Sequence, residues 1–350
     1  DAFSVNVQDN TTTTDGAVTV TQGKLEGLSL SSVDFNGSDE SIATAAYDEG
    51  ALTYLTVSAW IKIANLTQSD PPLVTRRVPS GNNIWQLFLY GTGEKPAFTF
   101  WAGTDEKGTS KIANTALTTG WHHVTVTMDT AADICKYYID GVLDATHTAF
   151  AGGTAAIDAG STETYFGRRD SAYANTKMRD VRIYDYVLSD DQAASLYSGS
   201  YNVAPLHWYK IDEGTGETAE IEDYGTGTDA DGTGVSLTWN NGTLDLDSSL
   251  TIEATGTLSA PRGNLDIFEG DSVSANGKFN NSGTFTHNNG TVITHCHDSG
   301  DEGRIQDTGS VEPVFYNLTI DDNGAHGDCQ IYGNITVENS LTTTGGGRMR

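Results

Sequence analysis

A chain of 350 residues is long enough for two domains. Its 47 acidic residues against 19 basic ones leave a formal net charge of −28, which excludes a nucleic-acid partner needing clustered Lys and Arg and disfavours an anionic membrane surface. Only 37% of residues are hydrophobic and 39 are glycine, a composition suited to many short strands joined by tight turns rather than to long helices.

No apolar run reaches transmembrane length, so no membrane insertion is expected. Cys135, Cys296 and Cys329 allow one intramolecular pair and leave one thiol. The chain starts at Asp1 without a signal peptide and ends LTTTGGGRMR, in the manner of an interrupted strand pattern. A processed or truncated piece of a longer extracellular or surface protein is the expectation.

In chain order, residues 1–16 are polar and Thr-rich and read as an N-terminal arm. Residues 17–20 alternate weakly, as an edge strand would. Residues 28–35 and 41–46 are strand-like and flank the turn Asn36-Gly37-Ser38. Strands follow at residues 52–63, 73–78, 84–90, 97–101, 111–113 and 124–128. Residues 135–139 lead into Asp140-Gly141, a favoured type I′ hairpin turn, and then 142–145. A spacing of about ten residues between strands fits a two-sheet sandwich.

Residues 165–197, YFGRRDSAYANTKMRDVRIYDYVLSDDQAASLY, hold the lone helix signal. Ser189 stands as N-cap with Gln192 completing a capping box, Leu188 and Ala193 can staple the start, and Asp190 and Asp191 favour its positive end. Gly199 can close it in the left-handed conformation.

This stretch resembles the closing strand and helix of the LamG-like, concanavalin A-like jelly-roll family. The residues that carry the resemblance are Met178, Asp180, Val181, Arg182, Ile183, Tyr184, Asp185, Leu188, Ser189, Leu196 and Tyr197. Arg179 stands between the family's apolar residue and its acid. Three earlier segments agree with the family in the right order: SVDFNGSDESI, LTVSAWIKI, and WHHVTVTMD followed by KYYIDG. The resemblance implies an all-β, antiparallel jelly-roll sandwich over residues 17–204. One fold hosts many functions, so function must be argued from the site.

LHWYKI at residues 206–211 resembles the family's opening strand, which ordinarily precedes DFNGSD. Residues 205–238 are therefore either a permuted strand that completes the sandwich, the favoured reading, or the start of a second sandwich or a linker. From residue 239 to 350 short β-like pieces return on the order of every 20 residues, as stacked solenoid coils would. Asn and Gly would take the corners. These pieces resemble the β-solenoid repeats of adhesins and phage structural proteins; a small open β-sandwich is the alternative.

In the resembling family, a structural calcium often lies where an early acidic turn meets the final strand. That places Asp34, Asp39 and Asp180 around one Ca²⁺, whose preference is for oxygen ligands; the alternative is that all three are solvated turn and rim acids. His122 and His123 are adjacent strand residues facing opposite ways, so they read as structural. His295 and His297 share a strand face, with His287 earlier and His326 and Cys329 later. A zinc or nickel site, a Cys296–Cys329 disulfide and a solvent-facing cluster all remain open.

No closely spaced acidic strand of glycosidase type, no G-x-S-x-G elbow and no phosphate loop occurs, GTGEKP having the wrong spacing. No enzymatic activity is expected. Trp85, Tyr90, Trp101, Tyr173 and Tyr201 are candidates to stack on sugar rings. Asn10, Asn36 and Asn65 fall in Asn-x-Ser/Thr sequons that matter only where the host glycosylates. The reading is a non-enzymatic surface protein, a head fibre, decoration protein or tail appendage of a phage or virion that contacts glycans. Its expected partners are a cell-surface polysaccharide and either other virion proteins or further copies of itself, as in a trimer. Rival readings are a secreted bacterial adhesin and the carbohydrate-binding module of a larger polysaccharide-active enzyme.

Overall fold

The computed structural model describes residues 11–14, 18–26, 31–63, 67–77, 83–91, 94–109, 111–198, 204–246, 249–267, 278–296, 303–309, 312–322, 328–344 and 348–349. The chain divides into two compact units, Ser32–Trp239 and a second made of Asp1–Ser31 with Asn240–Arg350. Among the described residues no helix is long and apolar enough to cross a membrane.

Ser32–Trp239 is a two-sheet antiparallel sandwich. One sheet runs Val142–Thr148, Ile134–Ile139, Trp121–Asp129, Tyr54–Ile63, Asn175–Tyr184, Ser32–Asn36. The other runs Glu220–Ile221, Gly232–Val235, Ser41–Thr44, Thr164–Phe166, Pro72–Arg77, Asn83–Tyr90, Lys95–Ala102, Asp105–Lys107. Alternate residues of each strand face inward, so Val33, Phe35, Val57, Ile61, Val74, Trp85, Leu87, Phe98, Phe100, Val126, Phe166 and Ile183 form one buried core.

The segment after the helix belongs to this sandwich. His207–Tyr209 pairs antiparallel with Asn175–Tyr184, and Gly232–Val235 pairs with Ser41–Thr44. It thus gives a strand to each sheet, and Tyr209 and Ile211 enter the core. Apolar alternation in LHWYKI fits that half-buried position.

Two local details explain departures in the sequence pattern. Asp180 has a φ of 48°, and the strand register shifts between Arg179 and Arg182. The extra residue is a β-bulge, which absorbs Arg179 without turning the later apolar residues outward. At the helix Asp190–Ser198, the Ser189 N–H donates to Gln192 Oε1 at 2.8 Å and the Gln192 N–H to Ser189 Oγ at 3.2 Å, a closed capping box. Leu188 and Leu196 pack with Tyr184 beneath it. Ser189→Ala is expected to destabilise the sandwich by about 1 kcal/mol in denaturant unfolding; an unchanged midpoint would show that the cap is idle.

The second unit is wound from parallel strands. One parallel sheet runs Thr11–Thr14, Thr243–Leu246, Asn264–Ile267, Thr291–Cys296, Val314–Asp322, Thr336–Thr344. The other runs Val18–Glu26, Leu250–Ser259, Lys278–Asn281, Gly303–Asp307, Asp328–Tyr332, Arg348–Met349, with Thr284–Thr286 also on Leu250–Ser259. Leu244, Leu265, Val292 and Leu318 are register partners in one sheet, as are Leu250, Phe279 and Ile305 in the other, and all are buried. Successive strands of each sheet thus stack like residue on like residue. Corners are tight: a Cβ on Gly290 would collide with the carbonyl oxygen of Pro261 on the preceding coil.

These units differ from the boundaries expected of the sequence. Thr11–Thr14 pairs in parallel with Thr243–Leu246 and Val18–Glu26 with Leu250–Ser259. Residues 11–14 and 18–26 are therefore strands of the second unit, where an arm and a sandwich edge strand were expected. A run of four threonines carries no apolar period; its strand is defined by backbone pairing with residues far along the chain.

Candidate functional site

The three acids expected around calcium are engaged separately. Asp34 Oδ2 lies 2.5 Å from Lys177 Nζ, its cross-strand partner. Asp39 Oδ1 accepts the Asn36 side-chain amide at 2.8 Å within the Asn36-Gly37 turn. Asp180 accepts Arg182 Nε at 2.8 Å, Arg182 Nη2 at 2.9 Å and Trp208 Nε1 at 2.6 Å. Burial alone would raise the Asp180 pKa, but the Arg182 charge and these hydrogen bonds hold it below the ordinary value. A calcium ion would have to displace a guanidinium and an ammonium, so the acids do not fit the ion. Among the described residues no three His, Cys, Asp or Glu side chains are arranged to hold a metal.

The histidines of the coil unit are likewise spoken for. His295 lies between Asp266 Oδ1, 2.8 Å from Nε2, and Asp321 Oδ2, 3.1 Å from Nδ1. These residues come from three successive coils. Burial works against the charged imidazole, but the bond to Asp266 and the two carboxylate charges raise its pKa. His287 is 3.4 Å from Glu338 and stacks on Tyr316. Cys329 is disulfide-bonded and Cys135 is a free buried thiol. His297, His326 and the side chain of Cys296 lie outside the described residues.

His122 and His123 face opposite ways. The Thr118 N–H donates to His122 Nε2 at 3.1 Å, so the neutral ring donates from Nδ1 to Asp140 at 2.9 Å. His123 sits against Trp60 and Tyr197, where burial drives its pKa down to about 4.

Glu49 and Asp223 are the acids that a search for a catalytic pair would find inside the sandwich. His207 Nδ1 is 2.6 Å from Asp223 Oδ2 and Nε2 is 3.3 Å from Glu49 Oε1. The side chains are 1%, 2% and 8% exposed for His207, Asp223 and Glu49, so no polymer reaches them. The Tyr47 ring is tilted against the imidazole with centroids 4.2 Å apart, and the Arg76 guanidinium carbon lies 3.6 Å from the Tyr47 ring centroid. This network joins the segments around residues 47, 76, 207 and 223 inside the fold.

Of the aromatic candidates, Trp85 is fully buried in the core and Trp101 nearly so. Tyr90 is 45% exposed, and Tyr201 lies outside the described residues. Tyr173 belongs to a short hairpin, Arg168–Arg169 paired with Ala172–Tyr173, which lies against the strand Pro72–Arg77 through Thr75 Oγ1 donating to the Arg168 carbonyl. There the Arg168 guanidinium carbon is 5.5 Å from the ring centroids of both Tyr165 and Tyr173. Arg169 lies 5.9 Å over Phe88 and donates to Gln86 Oε1 at 3.3 Å. Arg77 pairs with Asp170. Gln68 fixes the hairpin through the Tyr173 carbonyl, 2.5 Å, and the Asn175 N–H, 2.8 Å.

The result is a half-buried face with tyrosine rings, amide groups and guanidinium donors side by side. Such a mixture suits a sugar, whose C–H face stacks on aromatic rings while its hydroxyls take fixed hydrogen-bonding partners. Of this face only Tyr173 stands out in the sequence as a stacking candidate. The available signal was the Arg168-Arg169 doublet between two tyrosines, in a chain so poor in basic residues.

A two-sheet antiparallel sandwich closed by a capped helix defines the class as jelly-roll. Residues 36–194 match the family described as the concanavalin A-like lectin/glucanases superfamily, and that segment carries a domain of this type. No curated protein matches the sequence. Among solved structures, a heptameric pentraxin from Limulus polyphemus is similar at 14% identity and a TM-score of 0.39, over 49% of this chain and 83% of that one. The binding domain of botulinum neurotoxin serotype D is similar at 19% identity and a TM-score of 0.35, over 47% of this chain and 41% of that one. A sialidase of Trypanosoma rangeli is similar at 16% identity and a TM-score of 0.32, over 42% of this chain and 22% of that one. This chain thus spans less than half of the latter two, and likenesses this distant carry no argument about function.

Proposed function

We propose that the sandwich is a non-catalytic carbohydrate-binding module, using the face built by the hairpin Arg168–Tyr173 and the strands beneath it. The observation that carries the reading is the pairing of the half-buried Tyr165 and Tyr173 rings with hydrogen-bonding groups held in fixed positions. The lectin-type domain over residues 36–194 supports it. Glu49 and Asp223 are spent on His207 and Asp180 on Arg182, which favours binding over hydrolysis.

In this reading the coil unit is a stalk or docking element. Stacked parallel coils suit a fibre or appendage on a phage, virion or cell surface, where a homo-oligomer such as a trimer would present several sandwiches at once. A secreted adhesin uses the same parts. Light scattering separates these settings from a free-standing module of a larger enzyme, for which a monomer is expected.

The test of the module itself is a glycan array with the intact chain and Tyr173→Ala. The chain is expected to bind a restricted set of glycans, and loss of one stacking ring to weaken binding about tenfold or more. Binding unaffected by Tyr173→Ala, or no glycan bound at all, would remove this reading.

A further inference from the structure

The hairpin face contains a cation whose position is specified more closely than sugar stacking requires. Three arginines, at residues 77, 168 and 169, have contacts with residues of this hairpin and the strands beneath it. Two of them have protein partners that use their charge or their donors: Arg77 on the Asp170 carboxylate and Arg169 on Gln86 and Phe88.

Arg168 is different. Its Nε donates to the Asp170 carbonyl at 2.9 Å, which anchors the inner edge of the group. The Tyr165 and Tyr173 ring centroids each lie 5.5 Å from its guanidinium carbon. Among the described residues its Nη groups have no acceptor, and the side chain is only half-buried. A guanidinium anchored at Nε and flanked by rings presents its remaining N–H donors as a planar fork. That geometry matches the two oxygens of a carboxylate.

We propose that the face takes a carboxylated sugar, a uronic or other glycosyl acid, with Arg168 gripping the carboxylate and the two tyrosines lying along the ring. This rests on the hairpin face being the carbohydrate site, and it adds the class of sugar. The protein's charge of −28 repels an anionic polymer in general, so a local basic fork is what admits one at this place.

The test is isothermal titration of the intact chain with oligogalacturonate, oligomannuronate and sialyllactose, each beside its methyl ester, with neutral and sulfated oligosaccharides as further arms. At least one free acid is expected to bind about tenfold tighter than its ester, a difference of about 1.4 kcal/mol. Arg168→Gln is expected to abolish that preference, and Arg168→Lys to restore little of it, because an ammonium cannot make the paired contact. Circular dichroism checks that both variants are folded. Equal binding of acid and ester, or preference for sulfated sugars alone, overturns the inference and leaves the carbohydrate face standing. Failure to bind any saccharide overturns both.

Discussion

Removal of residues 1–31 is expected to unfold the coil unit while the sandwich keeps its own transition. Thr11–Thr14 and Val18–Glu26 pair in parallel with Thr243–Leu246 and Leu250–Ser259 along both sheets. Without them both strands lose a neighbour, and each backbone hydrogen bond lost removes on the order of 1 kcal/mol of net stability. In a stack whose stability is a sum of neighbour terms, several such losses exceed what one end can spare. The sandwich has its own core, with Val57, Trp85 and Phe98 fully buried in it. Calorimetry with limited proteolysis checks this: residues 240–350 should become rapidly cleaved, with the sandwich melting where it did. A deletion that leaves the coil unit resistant would show that its first strands are dispensable.

The second large effect is expected inside the sandwich, at His207. Replacing it with Ala leaves Asp223 buried without its imidazole partner and Glu49 with only Arg76, 3.9 Å away, and breaking a buried pair costs about 3–5 kcal/mol. The pH dependence follows from the directions of the shifts. Burial disfavours the charged His207, but its bonds to Asp223 and Glu49 outweigh that and raise its pKa above the ordinary 6.5. Its contribution is therefore complete below about 6.5 and is lost as pH rises through the folded-state value. Burial would raise Asp223, yet His207 and the backbone donors of Trp208 and Gly225 hold it below the ordinary 3.8. Its contribution is present above that ordinary value and is lost as pH falls through the folded-state value. Melting temperature against pH should show the sandwich most stable between these limits, with the alkaline decline flattened in His207→Gln. A sandwich transition that ignores pH from 6 to 9, on the order of the ordinary imidazole range, would contradict the network.

Much of the sandwich was legible because its signals are local. The capping box at Ser189 and Gln192, the Asp140-Gly141 turn and the alternating strand at residues 54–63 depend on neighbours in sequence. The order of four family-like segments then gave the fold. The role of LHWYKI was legible only as one of two alternatives, since pairing with Asn175–Tyr184 is a long-range fact. The strand at 11–14 was missed, and the one at 18–26 was read only at residues 17–20 and given to the sandwich, for the same reason: parallel pairing with residues far along the chain leaves no trace in a threonine run. The calcium expectation rests on which segments are acidic, not on what the acids meet. Asp34 and Asp180 are acidic in the right segments, but Lys177 and Arg182 fold onto them, and no spacing rule shows which cation a carboxylate will meet. The hairpin face was nearly invisible because Tyr165, Arg168 and Tyr173 become a site only when residues 168–173 fold back on Pro72–Arg77.

The most direct measurement is to locate a bound sugar on the folded chain by heteronuclear NMR titration, with the best glycan from the array. The account expects shift changes at the Arg168 side chain and at Tyr165, Tyr173 and Gln68, saturating together with one affinity. Changes confined to the other sheet or to the coil unit would contradict it.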